Sequence, residues 1–311
     1  MSNRRTFLKQ TGLGTMLTFG GALSLDAFAE NTGRQLTILH TNDMHSQLEP
    51  FPDNHKLYPG IGGMAARKKL IDHIRSEGHP VLLLDAGDIF QGTPYFNFFG
   101  GEPEIRLMSQ MGYDAATLGN HDFDGGLNNI EKQLLHANFP FINSNYDLNN
   151  SVLKGKILPY KIFAKNGIRI GVLGLGVELD GLVPRKLYEG IVYRDPLTEG
   201  QKVADYLKLK KKCNLIIALS HLGYKYNSNK ISDIQIAERT KYIDIIIGGH
   251  THTFMDQPDI RKNIEGQEVL IHQVGWAGIK IGRIDVRFEK NLGKNRASTQ
   301  TVIVDKKQIA F

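Results

Sequence analysis

Five apolar runs in this chain end on Asp, Asn or His, and that repetition constrains the fold more than any other feature. Leu36-Thr37-Ile38-Leu39 leads into Asp43-Met44-His45, and Val81-Leu82-Leu83-Leu84-Asp85 leads into Gly87-Asp88. Ala115-Ala116-Thr117-Leu118 opens into Gly119-Asn120-His121-Asp122-Phe123-Asp124. Leu215-Ile216-Ile217-Ala218-Leu219 ends on Ser220-His221, and Ile245-Ile246-Ile247 on Gly248-Gly249-His250-Thr251-His252. Open α/β sheets collect ligands at the carboxyl ends of their strands. Five strand ends that each deliver an imidazole, amide or carboxylate point to one metal centre.

Between Gln35 and about Gly249 strand-like and helix-like stretches alternate. Apolar residues at three- and four-residue spacing predict helices near Gly62–Glu77, Glu102–Met111, Gly126–Ala137 and Thr198–Lys212. Strands are expected at Leu36–His40, Val81–Asp85, Asp114–Leu118, Phe139–Asn143, Ile168–Gly174, Asn214–Leu219 and Asp244–Gly248. Such alternation argues for a layered α/β domain. After Phe254 only strands are expected, at Glu268–Val274, Lys280–Phe288 and Thr299–Val304, as antiparallel strands completing a sheet. No internal repeat, low-complexity tract or long linker divides the chain, so one domain is expected.

The N-terminus carries Asn3-Arg4-Arg5-Thr6-Phe7-Leu8-Lys9, a mildly apolar stretch to Leu25, and Ala27-Phe28-Ala29. A charged head, a short apolar middle and an Ala-x-Ala end form an export signal. The paired arginines resemble the twin-arginine type. Glycines 12, 14, 20 and 21 break the apolar part, which is too short to span a bilayer comfortably. Residues 1–29 therefore read as a cleaved signal for export to the periplasm, with 30–311 as the mature domain and no stable membrane insertion after processing. Net charge is +6; Arg4, Arg5 and Lys9 against Asp26 take +2 of it, leaving +4 on the rest. No dense basic run with interleaved aromatics appears, which argues against a nucleic-acid partner. The single cysteine, Cys213, excludes an intrachain disulfide and reads as a small buried hydrophobe.

The ligand chemistry follows from residue types and spacing. Asp43 and His45 lie two residues apart, as do His250 and His252, so each pair can face one ion from extended backbone. Mixed nitrogen and oxygen ligands without cysteine suit Zn, Mn, Fe, Co or Ni. Seven candidate ligands exceed what one ion needs. Two ions sharing a carboxylate would use the set, and such a pair generates a hydroxide near neutral pH and clamps an in-line displacement at phosphorus.

These blocks resemble those of the calcineurin-like metallophosphoesterases: His40-Thr-Asn-Asp43-Met-His45, Gly87-Asp88-Ile-Phe-Gln-Gly92, Gly119-Asn-His-Asp-Phe-Asp124, Ser220-His-Leu-Gly223 and Gly248-Gly-His-Thr-His252. All five stand in the family's order, and their flanking words are closest to the 5′-nucleotidase branch. The resemblance implies a four-layer α/β/β/α sandwich with a dinuclear site at the strand-end loops. It implies that Asp43, His45 and His252 hold the first ion, that Asn120, His221 and His250 hold the second, and that Asp88 bridges them. The ions would be two divalent metals such as Mn, Zn, Fe or Co. His121 would stabilise the transferring phosphoryl group or protonate the leaving oxygen, and Asp124 would orient it. The reaction implied is hydrolysis of a phosphate ester, a nucleoside 5′-monophosphate above all, by hydroxide held between the two ions.

Other readings stay open at this point. Typical 5′-nucleotidases carry a C-terminal domain that recognises the base, and none is expected within these residues. The expectation is therefore a broad-specificity phosphoesterase, or a catalytic half working with a separately encoded specificity domain. A thiosulfohydrolase-like enzyme and a non-catalytic metal-binding scaffold are further alternatives. Among the neighbouring polar residues, His40 is expected to pack or support a ligand, Asp85 to brace its loop, and Asp122 to face solvent. Asn120 and Asp124, taken alone, would read as a turn residue and a helix cap. His55, His73, His79, His136 and His272 are expected at the surface or in structural roles. Asn143 and Asn145 read as a turn or as substrate contacts.

Overall fold

The computed structural model describes residues 34–288 and 295–305, so the signal segment and its cleavage point lie outside the described residues. Its first sheet comprises β1 (Arg34–Thr41), β2 (Val81–Asp85), β3 (Ala115–Ala116), β12 (Lys280–Phe288) and β13 (Asn295–Ile303), in the order β13-β12-β1-β2-β3. The second comprises β5 (Tyr160–Lys165), β6 (Ile168–Gly176), β8 (Leu215–His221), β9 (Ile245–Gly248), β10 (Asp259–Lys262) and β11 (Glu268–His272), in the order β10-β11-β9-β8-β6-β5. A two-stranded ribbon pairs β4 (Tyr146–Asp147) with β7 (Val192–Tyr193).

Successive strand residues point to opposite faces of a sheet, and this chain uses both faces. Leu36 and Ile38 of β1 and Leu82 and Leu84 of β2 join Leu215, Ile217 and Leu219 of β8 and Ile245 and Ile247 of β9 in one buried cluster between the sheets. The residues in between face outward. Leu39 and Leu83 pack with Leu70 and Ile71 of α1 (Met64–Ser76), Ile105 and Met108 of α3 (Glu102–Met111) and Ile130 of α4 (Leu127–Leu134). Ile216, Ala218 and Ile246 pack with Ala204 of α5 (Pro196–Asp205) and Ile236 of α6 (Asp233–Arg239). The result is the four-layer α/β/β/α sandwich. Each Leu or Ile so buried contributes roughly 1.5–3 kcal/mol of transfer free energy, which is why runs such as Ile245-Ile246-Ile247 carry no polar residue.

Parallel pairing brings the loops together. Thr41 sits opposite Asp85 in β1–β2, and Ser220 opposite Gly248 in β8–β9. Strands in register finish at one level, so the loops from both sheets open along one edge. Among the described residues no helix is long and apolar enough to cross a membrane.

Several boundaries differ from expectation. The strand expected at Asp114–Leu118 keeps only Ala115–Ala116, and Phe139–Asn143 forms isolated bridges, Ala116 to Phe141 and Ile142 to Leu158, rather than a strand. The strands after Phe254 do not complete one sheet: β11 runs parallel to β9 in the second, while in the first β12 lies antiparallel to β1 and β13 antiparallel to β12. The helix expected from Thr198 begins at Pro196, because the Asp195 carboxylate caps it by accepting the Thr198 N–H at 2.7 Å, and it gives way to a π-helical turn at Tyr206–Lys210. Helices α2 (Pro94–Phe99) and α6 are too short to display a helical period, and neither was expected.

Candidate metal centre

The left-handed backbone region is uncommon for residues with a side chain. Asp43, His45, Asp88, His250 and His252 all occupy it, with φ of 51°, 48°, 57°, 73° and 50°. Strain concentrated at five of the seven expected ligands is held by the surrounding loops. The Asp43 N–H donates to the Gly87 carbonyl at 2.9 Å and the His45 N–H to the Asp88 carbonyl at 3.0 Å, lacing the first loop to the second. The His250 N–H donates to Asp43 Oδ1 at 2.9 Å, which ties in the fifth. Glycine is required at two close approaches: a Cβ on Gly119 would strike the Asp88 carboxylate, and one on Gly249 would press on His221 and Asp43.

Two ligand groups result. Asp43, His45, Asp88 and His252 each offer an atom within 4.8 Å of the others, and so do Asp88, His221 and His250. Asp88 belongs to both. Asn120 is buried, and its Oδ1 finds no hydrogen-bond donor among the described residues.

The donor chemistry fits cations. His221 Nδ1 lies 2.7 Å from the Ala86 carbonyl and His45 Nδ1 3.1 Å from that of Gln91. A carbonyl only accepts, so each Nδ1 carries a proton, and the neutral form of each ring has its lone pair on Nε2, the atom available to a metal. His221 Nε2 then faces Asp88 Oδ2 at 3.1 Å, and His45 Nε2 lies 2.9 Å from His252 Nε2. His252 Nε2 is in turn 3.3 Å from Asp43 Oδ1. Lone pairs and carboxylates converging on one space require positive charge between them. The same demand appears at His221, where burial opposes charge but Asp88, by attraction and hydrogen bonding, pushes the pKa up to about 10. At His250 burial, then repulsion from His221, pushes the pKa down to about 3, leaving the neutral imidazole that a metal ligand needs.

His121 stands beside this cluster, its ring 5.3 Å from that of His45. Its Nδ1 is 2.8 Å from Asp124 Oδ2, and its side chain is 41% exposed. Burial would lower the His121 pKa, but the hydrogen bond it donates to Asp124 and attraction to Asp88 outweigh it and raise it. Asp124 therefore holds His121 rather than capping α4, which Gly126 precedes.

Asp122 corrects an expectation. It is fully buried, and its carboxylate accepts the backbone N–H groups of Gly119, Asp88, Ile89 and Phe90 at 2.7, 3.0, 2.9 and 3.1 Å. Asp85 braces its loop as expected, accepting from Thr41 Oγ1 at 2.6 Å and the Gly87 N–H at 2.9 Å. His40 is buried against His272, Nε2 to Nδ1 at 2.8 Å, so both pack rather than ligate. Asn143 Oδ1 accepts the Asn145 and Tyr146 N–H groups in a turn, and Asn145 bridges to Gly176.

Two supporting residues went unread in the sequence. Asn42 donates to Asp43 Oδ2 at 2.7 Å, and Gln273 Nε2 donates to the Gly249 carbonyl at 2.6 Å. Asn42 lay inside the first block beside Asp43 and was open to notice; nothing in the sequence around Gln273 marked it.

Residues 36–254 match the calcineurin-like phosphoesterase family. The chain is 38% identical to a 5′-nucleotidase of Vibrio cholerae over 299 residues, covering 88% of this chain and 52% of that protein. It is 34% identical to the snake venom 5′-nucleotidase of Gloydius brevicauda over 294 residues, covering 88% and 48%. A solved 5′-nucleotidase precursor from Thermus thermophilus superposes with a TM-score of 0.79 at 32% identity, covering 86% of this chain and 54% of that one. The chain thus spans about half the length of the curated relatives it matches. With five ordered blocks, two sheets and two ligand groups meeting at Asp88, the chain belongs to the calcineurin-like phosphoesterase family.

Proposed function

We propose that this chain hydrolyses phosphomonoesters, with nucleoside 5′-monophosphates as the substrate class. The observation that carries the reading is the pair of ligand groups sharing Asp88, with the Asp124-held His121 next to them. Asp43, His45 and His252 hold one divalent ion and Asn120, His221 and His250 the other, with Mn, Zn, Fe and Co all compatible with these donors. Two such ions supply acidity to water and withdraw charge from phosphoryl oxygens.

The chain's own part is orientation and proton transfer. With Asp124 on Nδ1, His121 is left with Nε2 to meet the substrate. Its raised pKa keeps it protonated to a higher pH than a free imidazole. A cationic imidazole there gains value as negative charge builds on the phosphoryl and leaving oxygens, and its proton can pass to the departing alkoxide. The names of the relatives support nucleotides as the esters. Residues 1–29 direct export by the twin-arginine route to the periplasm, a route open to a metalloenzyme already folded and loaded; replacing Arg4 and Arg5 with Lys should leave the protein inside the cell.

The deciding experiment is phosphate release by the chain loaded separately with Mn, Zn, Co or Fe, over a panel of nucleotides, sugar phosphates and bis-(4-nitrophenyl) phosphate. Selective turnover of a 5′-nucleotide supports the proposal. Weak turnover of everything with two ions bound points to specificity supplied by a separate domain. No turnover with two ions bound overturns it in favour of a scaffold.

A further inference from the structure

An aromatic surface begins at the metal centre and has no part in the chemistry above. Trp276 stacks on His252, ring centroids 6.0 Å apart and planes within 11°. Phe51 and Trp276 meet in a T-shaped contact at 5.9 Å, and Tyr58 and Phe254 follow, 6.4 Å apart. Phe254 is 38% exposed and Trp276 is half-buried. An indole lacking a full cover at the rim of a polar site is an unusual place to leave an aromatic face unless a ligand uses it.

Trp276 is also held in place. The Gly275 carbonyl accepts from Asn42 Nδ2 at 2.6 Å, and the Ala277 N–H donates to the Asp43 carbonyl at 2.7 Å. Both neighbours of the indole are thus pinned to the loop that carries Asp43 and His45. The ring is fixed relative to the ligands of the first ion, which is the preorganisation a binding surface needs.

We propose that Trp276 stacks against the base of a nucleotide whose phosphate lies at the metal centre, with Phe254 and Tyr58 extending the surface. The inference rests on the phosphomonoesterase reading and names the part of the substrate that this rim recognises. Stacking on an aromatic side chain tolerates any base, because every base has a π-face. The surface therefore distinguishes nucleotides from sugar phosphates more than one nucleotide from another.

Trp276 is the single tryptophan of the chain, so its fluorescence reports this surface alone. The zinc-loaded protein would be titrated with adenosine 5′-methylenephosphonate, which lacks the hydrolysable ester oxygen, and in parallel with methylphosphonate. Quenching by the first and not the second is expected; equal quenching by both, or by neither, overturns the proposal. In kinetics, Trp276→Ala should lower the preference for adenosine 5′-monophosphate over ribose 5-phosphate about ten-fold, and Trp276→Phe should restore most of it. An equal loss on both substrates would mean that the indole only buttresses His252, and would overturn stacking. Quenching without any turnover would sink the phosphomonoesterase reading and leave the stacking intact; nucleotide turnover without quenching would do the reverse.

Discussion

The carboxylate of Asp122 receives the backbone N–H of Asp88 at 3.0 Å, while Asp88 Oδ1 receives the backbone N–H of His121 at 2.8 Å. Two loops that bring ligands from different strands are thereby locked through each other's main chain. Removing the clamp leaves four buried amide donors without an acceptor, each costing about 1–3 kcal/mol. Asp122→Ala should therefore lose about 3 kcal/mol or more of stability in denaturant unfolding and bind metal more weakly. Asp122→Asn should fare little better, since its amide turns an N–H toward N–H groups. An Asn variant as stable as the wild type would show that the carboxylate is not the acceptor.

The pairing of His121 with Asp124 predicts a split between binding and turnover. His121→Asn should retain both ions by elemental analysis and lose roughly 10²–10⁴-fold in kcat, the usual range for a positioned acid. Asp124→Asn should lose less, because the imidazole survives but its orientation and raised pKa do not. Full turnover in the His121 variant would remove the residue from the mechanism.

The shared position of Asp88 predicts unequal losses of metal. Asp88→Ala should deplete both ions, His252→Ala chiefly the first and His250→Ala chiefly the second, measured as metal per chain after dialysis. A chelator should lower the melting temperature of the wild type, because ions that bind only the folded chain stabilise it by mass action. The Asp88 variant should show almost no such shift. Equal depletion in all three variants would argue against two separable sites.

Much of this was legible beforehand, for physical reasons that differ from place to place. Runs such as Ile245-Ile246-Ile247 read as strands because burial on both faces leaves no room for a polar residue. The candidate ligands stood out because each follows an apolar run that ends as a strand. Asp122 did not, since three of its four partners are amides of residues 88–90, more than thirty positions away, and a carboxylate between His121 and Phe123 looks solvated without them. The strands after Phe254 were visible but not their sheets, because alternation reports which faces are buried and not which neighbour buries them. β3 is short because, past Ala116, its pairing with β2 continues only through the Thr117 N–H on the Asp85 carbonyl at 3.1 Å.

Away from the site, Glu77 and Arg283 predict how stability follows pH. Glu77 ends α1 and receives both terminal nitrogens of Arg283 on β12, at 2.8 and 2.6 Å, tying a helix to the edge region of the first sheet. The hydrogen bond from Arg283 holds the Glu77 carboxyl below its ordinary value of 4.5. A carboxyl depressed in the folded state binds its proton more readily in the unfolded chain, so its contribution is complete above about pH 4.5 and vanishes as pH falls through the lower folded value. The Glu77 side chain is 34% exposed, so screening by water limits the gain to below about 1 kcal/mol despite the two-pronged geometry. Glu77→Gln should therefore cost up to that amount at pH 7, with the difference from wild type shrinking as pH falls below about 4.5. Urea unfolding of both proteins at several pH values measures it, and effects common to the two chains cancel in the difference. A gap that stayed constant down to pH 3 would mean that packing of the side chain, and not its charge, joins α1 to β12.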